Sequence, residues 1–117
     1  MSEFDKALTK IETHRAREEA ARQRRIEAAA AFLKSFYEKD IKASKKLKEY
    51  GIDVEFDGRR LVLERPSEGQ FSEGLMIAVG EQGEIDVSGK SLGRFKPGDD
   101  SKVKGELIME VISHFSL

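Results

Sequence analysis

Apolar residues along the first fifty positions recur at helical spacing in two separate stretches. The first consists of Phe4, Leu8 and Ile11, and the second begins at Ile26. Between them, the positions that would continue the stripe carry charged side chains. Neither Gly nor Pro occurs before position 51, and the helix-favouring residues Ala, Glu, Lys and Arg dominate. The pattern predicts a long N-terminal helix whose middle has no apolar face to bury.

This helical region is expected to end at Gly51 and to change character near Asp40. A glycine directly after the last helical residues is typical of a helix C-terminus. Asp40 interrupts the apolar face, and it fits either the N-cap of a second, shorter helix or a polar position within one long helix. Because residues 1–25 lack a continuous apolar stripe, we expect them to form a projecting charged helical segment. Residues 26–117 then form a single α+β domain.

An Asp-Gly pair separates two runs of alternating apolar and polar residues over 52–63. Such a pair favours a hairpin with a two-residue type I′ turn. Centring the turn on Asp57 and Gly58 places Val54 opposite Leu61, and the apolar residues of both runs then fall on one face. The pattern predicts two antiparallel strands with one buried face.

The remaining residues predict a continuation of this meander and a final helix. Residues 66–74 carry the Pro and Gly punctuation of a loop. The run 75–79 is apolar throughout, which predicts a central strand covered on both faces. Alternation over 84–87 predicts a further strand, and 92–95 a short edge strand. A broad apolar stripe over 103–115 predicts a helix lying across the sheet.

Together these elements predict an α+β fold. It consists of a long N-terminal helix in one or two segments, a four- to five-stranded antiparallel meander, and a C-terminal helix packed on the sheet. The 117 residues are enough for one hydrophobic core and too few for two.

The charge of the chain is divided unequally between its two parts. Residues 1–50 carry 13 Lys and Arg against 9 Asp and Glu, whereas residues 51–117 carry 8 against 13. Either the two parts complement each other, within one molecule or a dimer, or the basic part binds an anionic partner. The chain has no Cys, and its first residues lack the basic-then-apolar order of a secretion signal. We therefore expect a cytoplasmic protein.

No set of residues in the sequence composes an active site. The Gly-Lys-Ser run at 89–91 matches the tail of a phosphate-binding loop, but Glu84 occupies the position of its first glycine. His14 and His114 lie 100 positions apart and share no metal-ligand spacing. We therefore expect no catalytic residue, no metal and no cofactor, and a protein that is not an enzyme.

The apolar residues Phe4, Leu8 and Ile11 have no place in the predicted core, because the polar stretch 13–25 separates them from it. A second copy of the chain, or another protein, would bury them. The primary prediction is a non-enzymatic interaction or assembly module that forms a homodimer through its N-terminal helix. The apolar face is too small to insert into a bilayer, so we expect no membrane partner.

The alternative interpretation is a small nucleic-acid-associated protein that binds through its basic helix. Clustered cations displace the condensed counterions of a polyanion. Glutamates are interspersed among these cations and no aromatic residues alternate with them, so the interaction module is preferred. The candidate cations are Arg15, Arg17, Arg22, Arg24, Arg25, Lys39, Lys42 and Lys46.

Overall fold

The computed structural model describes residues 2–66 and 73–117. The five strands form one antiparallel sheet in sequential order, which confirms the predicted α+β meander with helices at both ends. Most of the loop predicted over 66–74 lies outside the described residues. The elements are α1 (Glu3–Phe36), a π-helical turn (Tyr37–Ile41), α2 (Lys45–Glu49), β1 (Asp53–Phe56), β2 (Arg60–Arg65), β3 (Glu73–Val79), β4 (Glu84–Val87), β5 (Lys90–Arg94) and α3 (Asp100–Phe115).

One hydrophobic core lies between the sheet and the helices. Alternate residues of each strand point towards the helices, because successive side chains of a strand lie on opposite faces. The second half of α1 and one side of α3 cover this face of the sheet. The largest fully buried side chains are Leu33, Phe36, Leu61, Leu63, Ile77, Ile85, Leu107 and Phe115.

The β1–β2 hairpin has a register two residues away from the one predicted. Val54 lies opposite Leu63 rather than Leu61. The Asp57 N–H donates to the Arg60 carbonyl oxygen at 3.1 Å, so the two turn residues are Gly58 and Arg59. Gly58 has φ of +99° and takes the first turn position, as in a type II′ turn. A shift of two residues leaves every side chain on its predicted face, so the buried face is unchanged.

Strand β3 is central in the sheet, as predicted, but only one of its faces is covered. Leu75 and Ile77 are buried, whereas Met76 between them is 41% exposed. Helices α1 and α3 lie on the same side of the sheet, so the opposite face of the sheet is exposed to solvent. The uninterrupted apolar run at 75–79 therefore overstated the burial of this strand.

The N-terminal helical region is divided into two helices, and Ser44 rather than Asp40 caps the second. The Ser44 hydroxyl accepts a hydrogen bond from the Leu47 N–H at 3.2 Å, which satisfies a backbone donor at the start of α2. Asp40 lies in the π-helical turn, 3.1 Å from the Lys104 ammonium. The predicted end at Gly51 is confirmed, since Gly51 follows α2 with φ of +73°.

Arg65 at the end of β2 fixes the C-terminal end of α3 to the sheet. Its Nη2 donates to the Glu73 carboxylate at 2.6 Å and to the Phe115 carbonyl oxygen at 3.0 Å. Its guanidinium carbon also lies 5.6 Å from the centroid of the Phe115 ring. A cation is favourable here because the C-terminus of a helix carries partial negative charge.

Two leucines of α1 should differ strongly in their effect on folding. Leu33 is fully buried, so Leu33→Ala should lower the free energy of unfolding by about 2–5 kcal/mol. Leu8 is 39% exposed outside the core, so Leu8→Ala should change it by less than about 0.5 kcal/mol. Denaturant unfolding in dilute solution measures both values. Equal effects would show that the start of α1 belongs to the core.

Candidate interaction site

The first five turns of α1 extend beyond the core, and we call residues 3–20 the rod. Every residue of the rod is exposed to solvent, and the first buried residue of the helix is Ile26. The molecule is correspondingly long, with principal extents of 70 × 32 × 20 Å. The rod is therefore a helical arm none of whose residues is buried in its own domain.

The rod carries the three apolar side chains that the sequence singled out, and we call Phe4, Leu8 and Ile11 the tip triad. Their exposed fractions are 73%, 39% and 46%. Their spacing of four and three residues places them on one side of the helix. Exposed apolar residues grouped in this way are typical of a surface that contacts another molecule.

The end of the rod is a capped helix. The Ser2 hydroxyl accepts a hydrogen bond from the Asp5 N–H at 3.1 Å, and Glu3 and Asp5 lie in the first turn. Both the cap and the carboxylates are favourable at the positive end of the helix dipole. The tip triad is thereby held in helical geometry up to the first turn.

The turn between β3 and β4 holds α1 where the rod leaves the core. Arg22 Nη1 donates to the Glu81 carbonyl oxygen at 2.9 Å, and Arg25 Nε donates to that of Gln82 at 3.2 Å. Gly83 in the same turn lies so close to α1 that a Cβ at this position would be 2.5 Å from the Arg25 Cβ. These contacts fix the direction in which the rod projects.

An ion pair on the helix positions the Arg22 guanidinium for this contact. Arg22 Nη2 lies 2.6 Å from Glu19 Oε1, and its Nε donates to the other carboxylate oxygen at 3.0 Å. The hydrogen bonds from Arg22 and from the Gln23 amide lower the pKa of Glu19 to about 2. The carboxylate therefore stays ionised and paired at neutral pH.

Three of the predicted cations line a groove beside this turn, which we call the arginine groove. Arg15, Arg22 and Arg25 of α1 meet Arg94 of β5 around a space of about 560 Å³. Glu18 and Glu19 line the same groove, so the arginines outnumber the carboxylates by two. An excess of guanidinium groups around a cleft favours an anion.

The other predicted cations are not gathered at this groove. Arg17 and Arg24 each lie two residues after a groove arginine, which places them on the opposite side of the helix. Lys39, Lys42 and Lys46 are exposed beyond the end of α1, and Lys39 lies about 20 Å farther along the helix than Arg25. Lys42 and Lys46 line two different pockets. The structure thus distributes the basic residues over several surfaces rather than one.

A second groove, between α2 and α3, was not recognised in the sequence, and we call it the apolar groove. Its volume is about 450 Å³. Tyr50, Ile108 and Ile112 on its walls are 51%, 36% and 37% exposed. Its lining residues are Asp40, Ile41, Ser44, Lys46, Leu47, Tyr50, Ile108, Val111, Ile112 and Leu117.

The signal for this groove was present in the stripe of α3, but it was assigned to the core. Leu107, Val111 and Phe115 are buried as predicted, whereas Ile108 and Ile112 lie at the edge of the covered surface. The stripe is wider than the contact that the helix makes with the sheet. A helix that packs on one layer buries only its central row, so the flanking row stays exposed.

The two histidines and the Gly-Lys-Ser run lie in different elements of the structure. Within 2–66 and 73–117, no three His, Asp or Glu side chains are grouped closely enough to hold a metal ion. His14 pairs with Glu18 at 3.0 Å on the rod, and His114 lies edge-on against Phe115. The Gly-Lys-Ser run begins in the β4–β5 turn, where Ser88 and Gly89 have φ of +48° and +87°, and its Lys90 and Ser91 belong to β5.

Comparisons of the chain with protein-family models, with curated proteins and with solved structures found no match. No helix in the described part of the chain combines the length and the apolar character needed to cross a bilayer.

The contact between the β3–β4 turn and α1 can be tested at Gly83. Gly83 and Gly89 are both turn glycines with positive φ, but a Cβ at Gly89 would meet nothing within 4 Å. Gly89→Ala should lower the free energy of unfolding by about 1–2 kcal/mol through backbone strain alone. Gly83→Ala should cost about 1–3 kcal/mol more, because the methyl group would overlap Arg25. Chemical denaturation compares the two variants, and equal losses would contradict the close approach.

Proposed function

We propose that the chain is a non-enzymatic interaction and assembly module that forms a homodimer through its N-terminal helix. The observation that carries this proposal is the tip triad, three apolar side chains presented on a rigidly directed helix outside the core. Helices in proteins owe most of their stability to tertiary packing, and the rod has no such packing in its own domain. Packing against another chain would both stabilise the rod and remove the triad from solvent. The cytoplasm is the compartment that we propose for this role.

The spacing of the tip triad is that of a helix that binds a partner with one of its sides. Helices that bind in grooves use apolar anchors at positions i, i+4 and i+7, which is the spacing of Phe4, Leu8 and Ile11. The polar positions after Ile11 shorten the apolar seam to two turns. This supports a compact contact at the end of the rod over a long coiled coil.

The oligomeric state in solution tests this proposal. The wild-type chain should sediment as a dimer at micromolar concentration, and Leu8→Glu should weaken the dimer at least 100-fold, or by about 2.7 kcal/mol. The matched control is Thr13→Glu, since Thr13 is exposed on the opposite side of the rod. This variant should dimerise like the wild type. A wild-type monomer up to millimolar concentration would refute the proposal.

A second candidate function is binding of a nucleic acid, and the arginine groove is the observation that favours it. Arg15 and Arg94 line this groove from different elements, although they lie 79 positions apart in the sequence. Arg22 and Arg25 already bind carbonyl oxygens, so the added attraction for a phosphate rests mainly on the other two arginines. The groove thus supplies a small anionic contact rather than a continuous basic face.

Binding of a labelled single-stranded oligonucleotide, followed by fluorescence anisotropy at several salt concentrations, tests this second candidate. Arg15→Glu should weaken binding and lower the dependence on salt by about one unit of slope. Arg17→Glu changes the net charge equally but lies outside the groove, so it should have a smaller effect. Absence of binding at low salt, or equal effects of the two variants, would contradict the role of the groove.

A further inference from the structure

The apolar groove has the chemistry of a receptor for the apolar side chains of a short helix. Ile41 and Leu47 form one wall, and Ile108 and Ile112 of α3 form the other. Leu47 of this first wall and Val111 of α3 are buried in the core, so the groove is continuous with the core. Tyr50 stands at its edge, half exposed. Such a groove leaves apolar area in contact with solvent that a docked helix would cover.

The charges around the groove complement those around the tip triad. Lys46 is the lysine that lines the groove, whereas Lys42 and Lys48 line a separate pocket beside β1. The groove carboxylate Asp40 is already paired with Lys104. The charges at Asp40, Lys46 and Lys104 therefore sum to one positive charge.

One side of the triad has a negative border. By helical spacing, Asp5 and Glu12 flank the triad on this side, whereas Glu3 and Lys10, seven residues apart, share the other side. Lys6 falls on the opposite side of the helix. A helix that enters the groove with the triad inwards and this border towards α2 would thus bring two carboxylates towards Lys46. The arginine groove also attracts carboxylates. Because Ala21 is the one apolar residue in its lining, the arginine groove would not cover the apolar side chains of the triad.

The rod of a molecule is unable to reach the apolar groove of the same molecule. Ile11 and Ile41 are joined by 30 residues of helix, which separates them by about 45 Å. The hydrogen bonds from Arg22 and Arg25 to the β3–β4 turn hold the base of the rod against the domain. The triad that fits this groove therefore belongs to a second molecule.

We infer that the tip triad of one copy docks in the apolar groove of a second copy, and that the exchange is reciprocal. Each molecule then donates one rod and receives one, so two equal contacts close a dimer with twofold symmetry. Lys46 borders each docked helix and faces Asp5 and Glu12 beside the triad. This inference rests on the proposed self-association and assigns its second surface.

Disulfide trapping tests the inference directly, because the chain contains no cysteine of its own. The variants Leu8→Cys and Ile112→Cys are mixed and oxidised under mild conditions. They should form a disulfide-linked heterodimer, with little product from either variant alone. The control pairs Leu8→Cys with Met76→Cys, which is exposed on the open face of the sheet, and should give no product above background. Equal trapping of both pairs, or none with Ile112→Cys, would overturn the inference.

Sedimentation of two glutamate variants distinguishes docking in the apolar groove from the more general proposal of a dimer formed through the N-terminal helix. Ile112→Glu should raise the dissociation constant of the dimer at least tenfold, and circular dichroism checks that it stays folded. If Leu8→Glu dissociates the dimer and Ile112→Glu leaves it intact, the triad docks elsewhere and the inference fails while the proposed function stands. If neither variant weakens the dimer, both fail.

Discussion

The backbone of Arg25 passes so closely over Gly83 that a single methyl group would not fit between them. This contact, with the hydrogen bonds from Arg22 and Arg25 to the same turn, converts the end of a long helix into a directed arm. Without it, the rod would be an ordinary marginal helix beyond the core. With it, the position of every residue from Ser2 onward is set relative to the sheet.

The rod and the core use the same side of α1. Ile26 follows Leu8 by 18 residues, which is five full turns, so the apolar triad points in the direction of the stripe that packs on the sheet. Polar residues between them line the arginine groove and donate the hydrogen bonds to the β3–β4 turn. A partner bound to the triad would therefore lie alongside the domain, on the side of the helix that already faces the protein.

Local patterning predicted most of the fold and the exposure of the tip triad. Alternation and periodicity gave the strands, the final helix and the exposed triad, because these depend on which side chains share a face. The hairpin register was wrong by two residues, since it depends on whether Gly58 takes the first or the second turn position. The apolar groove was missed because Ile108 and Ile112 have the same spacing as buried residues of α3. How far the sheet and α2 cover that helix is decided by tertiary packing alone.

The central claim is that the rod lies against a second copy of the chain. A spin label at Lys10→Cys, on the side of the rod away from the triad, gives one label per molecule in a cysteine-free background. Pulsed dipolar spectroscopy then detects only distances between molecules. The account predicts a narrow distance distribution at micromolar concentration that disappears when Leu8→Glu is added to the labelled variant. A signal without dipolar modulation, or one unchanged by Leu8→Glu, would contradict it.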